Sequence, residues 1–222
     1  MPPDAQAEGQ RLRDLAEAIG LDLSDRQVGQ LLAYLDLLLR WNATYNLTAV
    51  RDRDAAFTQH LADCLAVVPA VRRRMREGAK APRVLDVGSG GGLPGVVLAI
   101  CLDALEVTCV DAVGKKTAFV RQVAGQLGRA HLYSEHARVE ALRATPFDLI
   151  TSRAFASLPD FVGLTRALLG EQGAWMAMKG RVPDDEIAAL PGDIEVFHVD
   201  PIRVPGLEAE RCLVWMRVRA AT

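Results

Sequence analysis

The run from Arg83 to Ile100 constrains this chain more than any other stretch. Val84, Leu85 and Val87 are β-branched or aliphatic, as in a strand covered on both faces. Gly88, Gly90, Gly91 and Gly92 follow, and glycine lets a backbone turn through positive φ and approach a ligand closely. Pro94 suits the first turn of a helix, where its missing N–H costs nothing. The apolar run to Ile100 then reads as that helix. Strand, glycine turn and helix in this order form a corner that holds a nucleotide-like ligand against a helix N-terminus.

Two cofactor classes fit the corner. Gly90-x-Gly92-x-x-Gly95 meets the dinucleotide fingerprint when taken by itself. Asp86-x-Gly88-x-Gly90-x-Gly92 resembles the first motif of class I S-adenosylmethionine (SAM) methyltransferases. A carboxylate there can help order the loop around a cofactor that carries an ammonium and a sulfonium, whereas a pyrophosphate gains nothing from it.

Composition narrows the setting. A chain of 222 residues, half of them hydrophobic, can bury one sizeable core, or one core and a small appendage. A formal net charge of −2 advertises no global affinity for nucleic acid, so such a partner would meet a local patch. Cys64, Cys101, Cys109 and Cys212 show neither C-x-x-C nor zinc spacing. They suit a reducing, cytoplasmic setting. The polar N-terminus is no signal peptide, and no apolar run is long enough to span a bilayer.

Residues from about Gln6 to Ala79 read as helical. Leu12, Leu15, Ala16 and Ile19 recur at helical spacing up to Gly20. Ser24 and Gln27 form a capping box for a second helix with a broad apolar stripe from Val28 to Leu39. Trp41 to Thr48 reads as a loop in which the aromatic rings bury area and Asn42 and Asn46 satisfy turn backbone, a buttress in preference to a substrate contact. A further helix from Asp54 to Val68 should stop at Pro69, with His60 and Asp63 on one face. Arg72-Arg73-Arg74-Met75-Arg76, with Lys80 nearby, is either a solvated helix face or a phosphate-contacting patch.

From Ala81 strands and helices alternate, as in a doubly wound α/β domain. The second strand, Leu105 to Val110, ends at Asp111, placed to accept hydrogen bonds from ribose hydroxyls of either cofactor. A third strand, Ala130 to Tyr133, leads to Arg138-Val139-Glu140 beside the adenine side of the crevice. The fourth, Phe147 to Thr151, delivers Ser152, Arg153 and Ala154 to the carboxyl edge, where ligands bind in this topology. After a helix from Phe161 to Leu169 come strands at Ala174–Lys179, Ile194–Val199 and Arg211–Val218. The last two, joined through Pro201 to Gly206, suggest a terminal antiparallel hairpin, which a methyltransferase sheet has and the symmetric dinucleotide fold lacks.

Four segments now stand in one chain in this order: Trp41-Asn42-x-x-Tyr45-Asn46-Leu47-Thr48, His60-x-x-Asp63, Asp86 to Gly95, and Ser152-Arg153-Ala154-Phe155-Ala156-Ser157-Leu158. Together, and over nearly the whole chain, they resemble the ribosomal RNA small-subunit methyltransferase G (glucose-inhibited division protein B) family. The resemblance implies an α/β fold with the Rossmann-like seven-stranded sheet of class I SAM methyltransferases. That domain would span 81–222, behind a small helical N-terminal region at 1–80. It implies SAM as cofactor, contacted at Gly88, Leu93, Asp111, Ala112, Val139, Glu140 and Arg153, and methylation of N7 of one guanine in 16S rRNA near the decoding site. The partner would be 16S rRNA or the 30S subunit, and with no heptad seam visible a monomer is expected. Cys64 stands where the family usually has serine. Gly91 replaces a more typical alanine or proline and should loosen the loop.

Guanine N7 has a free lone pair at neutral pH, so no general base, and hence no catalytic side chain, is expected. Thr151-Ser152-Arg153-Ala154 stands where amino-methylating enzymes carry an Asn/Asp-Pro-Pro-aromatic motif, which agrees with a ring-nitrogen acceptor. Catalysis would be proximity and orientation. Arg72 to Arg76, Lys115, Lys116 and Lys179 are the candidates for phosphate contact. Rival readings are a SAM methyltransferase acting on another substrate, an NAD oxidoreductase, and a non-catalytic ribosome-assembly factor.

Overall fold

The structure, a computed structural model, describes residues 3–75 and 81–220. Arg76, Glu77 and Lys80 of the basic run lie outside the described residues. Five helices come first: α1 (Pro3–Ala18), α2 (Asp25–Tyr45), α3 (Arg53–Ala56), α4 (Asp63–Leu65) and α5 (Val68–Met75), with a π-helical segment, Phe57–Ala62, joining α3 to α4. Then strands β1 (Arg83–Val87), β2 (Glu106–Asp111), β3 (Leu132–His136), β4 (Phe147–Arg153) and β5 (Leu169–Lys179) alternate with α6 (Gly95–Cys101), α7 (Gly114–Gln126) and α8 (Leu158–Thr165). The short α9 (Asp184–Ala188) precedes the hairpin β6 (Ile194–Pro201) and β7 (Cys212–Val218).

One seven-stranded sheet runs β3-β2-β1-β4-β5-β7-β6. The first five strands are parallel, and β7 is inserted antiparallel between β5 and β6. The expected terminal hairpin is therefore present. Side chains along β1 alternate between the two faces: Val84 joins the core under α1–α7, while Leu85 and Val87 join the core under α8. The helical N-terminal region has no separate core, because a single buried cluster runs from Leu12 through Leu38 and Leu98 to Trp215. Burying that stripe against the sheet domain is why α2 can be so apolar.

The Ser24–Gln27 capping box forms in both directions. Several local expectations need correction. Trp41 to Tyr45 is the last turn of α2, not loop. The helix ends at Asn46 in the left-handed conformation (φ 49°), which asparagine tolerates. Pro69 opens α5 in place of simply stopping the preceding helix, since its fixed φ suits a first turn. And α8 begins at Leu158, where Ser157 accepts the Asp160 N–H at 3.2 Å and Pro159 occupies the first turn, not at Phe161. The third strand lies a little later than expected and the fifth begins earlier, because the ladders with β2 and β4 set their limits.

Candidate active site

The carboxyl ends of β1, β2, β4 and β5 open onto two cavities that meet at Gly88 and Ala154. The larger, about 520 Å³, lies over the glycine loop and Leu93 and is walled by Thr48, His60, Asp63, Arg153 and Arg211. The smaller, about 370 Å³, is lined by Asp111, Ala112, Val139 and Glu140 beside Phe155. All seven residues singled out as cofactor contacts thus fall on one of the two cavities, with Gly88 on both.

Gly88 makes the junction possible. Its φ is +63°, and a Cβ there would stand 2.5 Å from Cδ2 of Phe155. Any side chain would be strained and would displace that ring. Gly91 is not slack as expected: its carbonyl accepts a 2.7 Å hydrogen bond from the buried Tyr34 hydroxyl of α2. The N-terminal region therefore holds the loop directly.

Asp86 does not line either cavity. It is fully buried toward α6, where Oδ2 accepts the Gly95 N–H at 2.8 Å. A Cβ on Gly95 would stand 2.8 Å from that same oxygen, so glycine is what lets the helix start so close. The carboxylate orders the loop from behind and occupies the N-terminus of α6. That helix end is accordingly closed to a pyrophosphate, which removes the dinucleotide reading.

Burial pushes the Asp86 carboxyl up to about 7, against the lowering effects of the Gly95 N–H and Arg153. Oδ1 has no hydrogen-bond partner among the described residues. The folded protein then holds a proton on this group that the unfolded chain, at the ordinary 3.8, releases. The stability Asp86 contributes is full below about pH 4 and is lost as pH rises through about 7. Asp86→Asn should gain stability relative to the parent between pH 5 and pH 8. Urea unfolding of both proteins at each pH measures it, and a constant difference would refute the assignment.

Asp111 locks the neighbouring turn. Oδ2 accepts the Gly90 N–H at 3.0 Å and Oδ1 the Val113 N–H at 2.9 Å. Lys116 Nζ lies 3.5 Å from Oδ2. A carboxylate has about four acceptor sites, so lone pairs remain toward the smaller cavity. Val139 is buried in a 3₁₀ turn that presents the exposed Glu140 at the same rim.

Arg153, at the end of β4, reaches back to the helical region. Nη1 donates to the Gln59 carbonyl at 3.0 Å and to Asp63 Oδ2 at 3.2 Å, and Nη2 lies 3.5 Å from His60 Nδ1. Asp63 Oδ1 is held by Arg211 Nε at 2.7 Å. The π-helical segment brings His60 and Asp63 together to this cluster, an arrangement frequent at functional sites. Burial, and then the Arg153 charge, lower the His60 pKa, which favours the neutral ring. Cys64 lies beneath and is inert, its thiol pushed up to about 12 by burial.

Sequence reasoning missed Arg211, Tyr34 and Phe155 as parts of the site. Only a cation just ahead of an alternating strand hinted at the first. The expected phosphate cluster is dispersed. Lys179 is tied to both carboxylate oxygens of Glu186 and to the Ala156 carbonyl, and Lys116 to Asp111. Arg73 pairs with Asp200 and Arg74 lies over Phe197, around a different depression that shares no lining residue with the two site cavities. Lys115 is exposed at the start of α7. Among the described residues no helix is long and apolar enough to cross a membrane.

Known proteins resemble this chain in sequence and in fold. Residues 27–214 match the GidB family, described as rRNA small subunit methyltransferase G. The chain is 56% identical over 212 residues to a ribosomal RNA small subunit methyltransferase G of Acidovorax sp. strain JS42, covering 93% of each chain. It is 56% identical to the protein of that name from Methylibium petroleiphilum, over 97% of this chain and 96% of that one. The fold is similar to Burkholderia thailandensis 1,6-didemethyltoxoflavin-N1-methyltransferase, solved with S-adenosylhomocysteine (TM-score 0.58, 15% identity, 90% and 92% of the two chains). With its sheet order, its glycine loop and a family match over most of its length, the chain belongs to the rRNA small subunit methyltransferase G family.

Proposed function

We propose that the protein transfers a methyl group from SAM to N7 of a guanine in 16S rRNA. The observation that carries this reading is the pair of cavities meeting at Gly88, one suited to a nucleoside and one over the glycine loop with space for an acceptor. Gly88, Leu93, Asp111, Ala112, Val139, Glu140 and Arg153 are the residues we assign to the cofactor. The bare backbone at Gly88 and the remaining Asp111 lone pairs suit a nucleoside, and the closed N-terminus of α6 suits one without a pyrophosphate.

SAM, when bound, supplies an electrophilic methyl on sulfur. The chain's part is to hold donor and acceptor in line and to exclude water. The acceptor nitrogen needs no proton removed, so no general base is assigned. Orientation of this kind supplies about 7–11 kcal/mol of barrier lowering in favourable cases. N7 faces the deep major groove of an A-form helix, so the guanine must be unpaired or splayed to enter. We take the helical region 1–80 as the wall of the acceptor side and 81–222 as the cofactor-binding domain, acting as a cytoplasmic monomer.

The test offers methyl-labelled SAM with 30S subunits and naked 16S rRNA from cells lacking this protein. Label should map to one guanine near the decoding loop by the chain cleavage that N7-methylguanine permits. SAM binding without rRNA labelling would keep the fold and cofactor and discard the substrate. Which of the two RNA forms is labelled identifies the physiological partner.

A further inference from the structure

Thr48 closes the segment Trp41–Thr48, and the structure gives that segment two separate jobs. Trp41 packs on Tyr45 and Phe119 with ring centroids 5.0 and 5.5 Å apart. Asn42 is buried and spans the loop that follows α2, donating to the Val50 carbonyl at 2.9 Å and accepting the Thr48 N–H at 2.8 Å. These are the buttress. What they hold in place is Thr48, on the wall of the larger cavity.

The direction of the Thr48 hydroxyl follows from its neighbours. Oγ1 accepts the Val50 N–H at 3.2 Å and lies 2.7 Å from His60 Nε2. On the other side of the ring, Nδ1 faces a guanidinium nitrogen of Arg153 at 3.5 Å. A guanidinium can only donate, so this contact favours an unprotonated Nδ1 and places the ring proton on Nε2. The Gln59 carbonyl also lies within reach of the ring and keeps a lone pair beside the one Arg153 Nη1 takes, but a proton on Nδ1 would face the Arg153 N–H at 3.5 Å, which tips the tautomer toward Nε2–H. Nε2 therefore donates to Thr48. With both lone pairs of Oγ1 occupied, the single hydroxyl proton has to leave toward an acceptor outside this set. Among the described residues it has no such partner, and Thr48 lines the larger cavity.

We propose that Thr48 is the specificity-determining donor to the substrate base, its hydroxyl hydrogen-bonding O6 of the guanine that enters the larger cavity. The proposal rests on the reading that guanine N7 is the acceptor atom. Guanine presents O6 and N7 side by side as acceptors. A donor on O6 fixes the base while leaving the N7 lone pair free for the methyl. Adenine carries an N–H₂ group in place of O6, and a hydroxyl locked as donor cannot pair with it. His60, Arg153 and Asp63 act here as positioning residues, each fixing the hydrogen-bond sense of the next.

The experiment uses the full chain with 30S particles carrying guanine or 2-aminopurine at the methylated position; 2-aminopurine keeps N7 and loses O6. Thr48→Val removes the hydroxyl at nearly constant volume and Thr48→Ser keeps it. Thr48→Val should lower kcat/KM on guanine by about tenfold to a hundredfold. Thr48→Ser should stay within about threefold. On 2-aminopurine the parent and Thr48→Val should converge, since the lost partner is then missing from either side. SAM affinity by calorimetry should remain unchanged in both variants, because the alternative acceptor in this cavity is a cofactor carboxylate. The ¹⁵N shifts of His60 should report an Nε2–H tautomer. Parental activity in Thr48→Val, a parallel loss of SAM affinity, or an Nδ1–H tautomer would each overturn the proposal. A parent that binds SAM yet labels no guanine would overturn the functional reading beneath it.

Discussion

Gly88→Asp is expected to weaken SAM binding by at least about a hundredfold and to abolish methyl transfer while leaving the fold intact. The backbone at Gly88 has φ +63°, which costs an L residue about 1–2 kcal/mol. Lost space matters more than this strain. A Cβ would approach Phe155 to 2.5 Å, and the remaining atoms would enter the junction that both cavities share. Phe155 sits in the bend after β4 rather than in a packed strand, so the ring can give way and the sheet survives. Calorimetric titration with SAM, beside circular dichroism of the same sample, measures both halves. Unchanged affinity would place the cofactor elsewhere.

Asp63→Ala should cost about 3 kcal/mol of stability, the lower end of what removing one partner of a buried ion pair produces. The side chain of Asp63 is 4% exposed, and it accepts from Arg153 and Arg211, which are 22% and 28% exposed. Without it two guanidinium groups confront each other with no anion between them. Their residual contact with water is why the lower end applies. In a chain of this size the loss corresponds to a fall of about 6–12 °C in Tm. Adding Arg211→Met to Asp63→Ala should recover part of it by removing one of the orphaned charges. Thermal unfolding of the single and double variants decides the matter, and a single variant as stable as the parent would mean the cluster contributes nothing.

What could be read in the sequence was whatever is local or periodic. The corner from Arg83 to Ile100 declared itself because burial on both faces and the glycine turn each leave a composition of their own. The closing hairpin showed in the alternation of Cys212 to Val218. Direction and distance were another matter. Asp86 was correctly tied to the ordering of the loop, yet only the α6 contact shows that it does so from behind. Trp41 to Tyr45 looked like loop because aromatic and amide groups are shared by turns and helix ends, and tertiary packing on Phe119 decided between them. The π-helical segment has no spacing signature that separates it from an ordinary helix. The mutual engagement of Asp63, Arg153 and Arg211 is set by sheet order, which no run of residues contains. The same limit made Lys116 and Lys179 look available when each already faces a carboxylate.

The Asp63–Arg211 contact joins residues 148 apart in the chain, and Asp63–Arg153 joins residues 90 apart. During synthesis the glycine loop, Thr48 and His60 emerge long before Arg211 does. A nascent chain, or one truncated ahead of Arg211, has Asp63 with one of its two counter-ions missing and the larger cavity without one of its wall residues. Both counter-ions of Asp63 are therefore in place only in a chain made at least as far as Arg211.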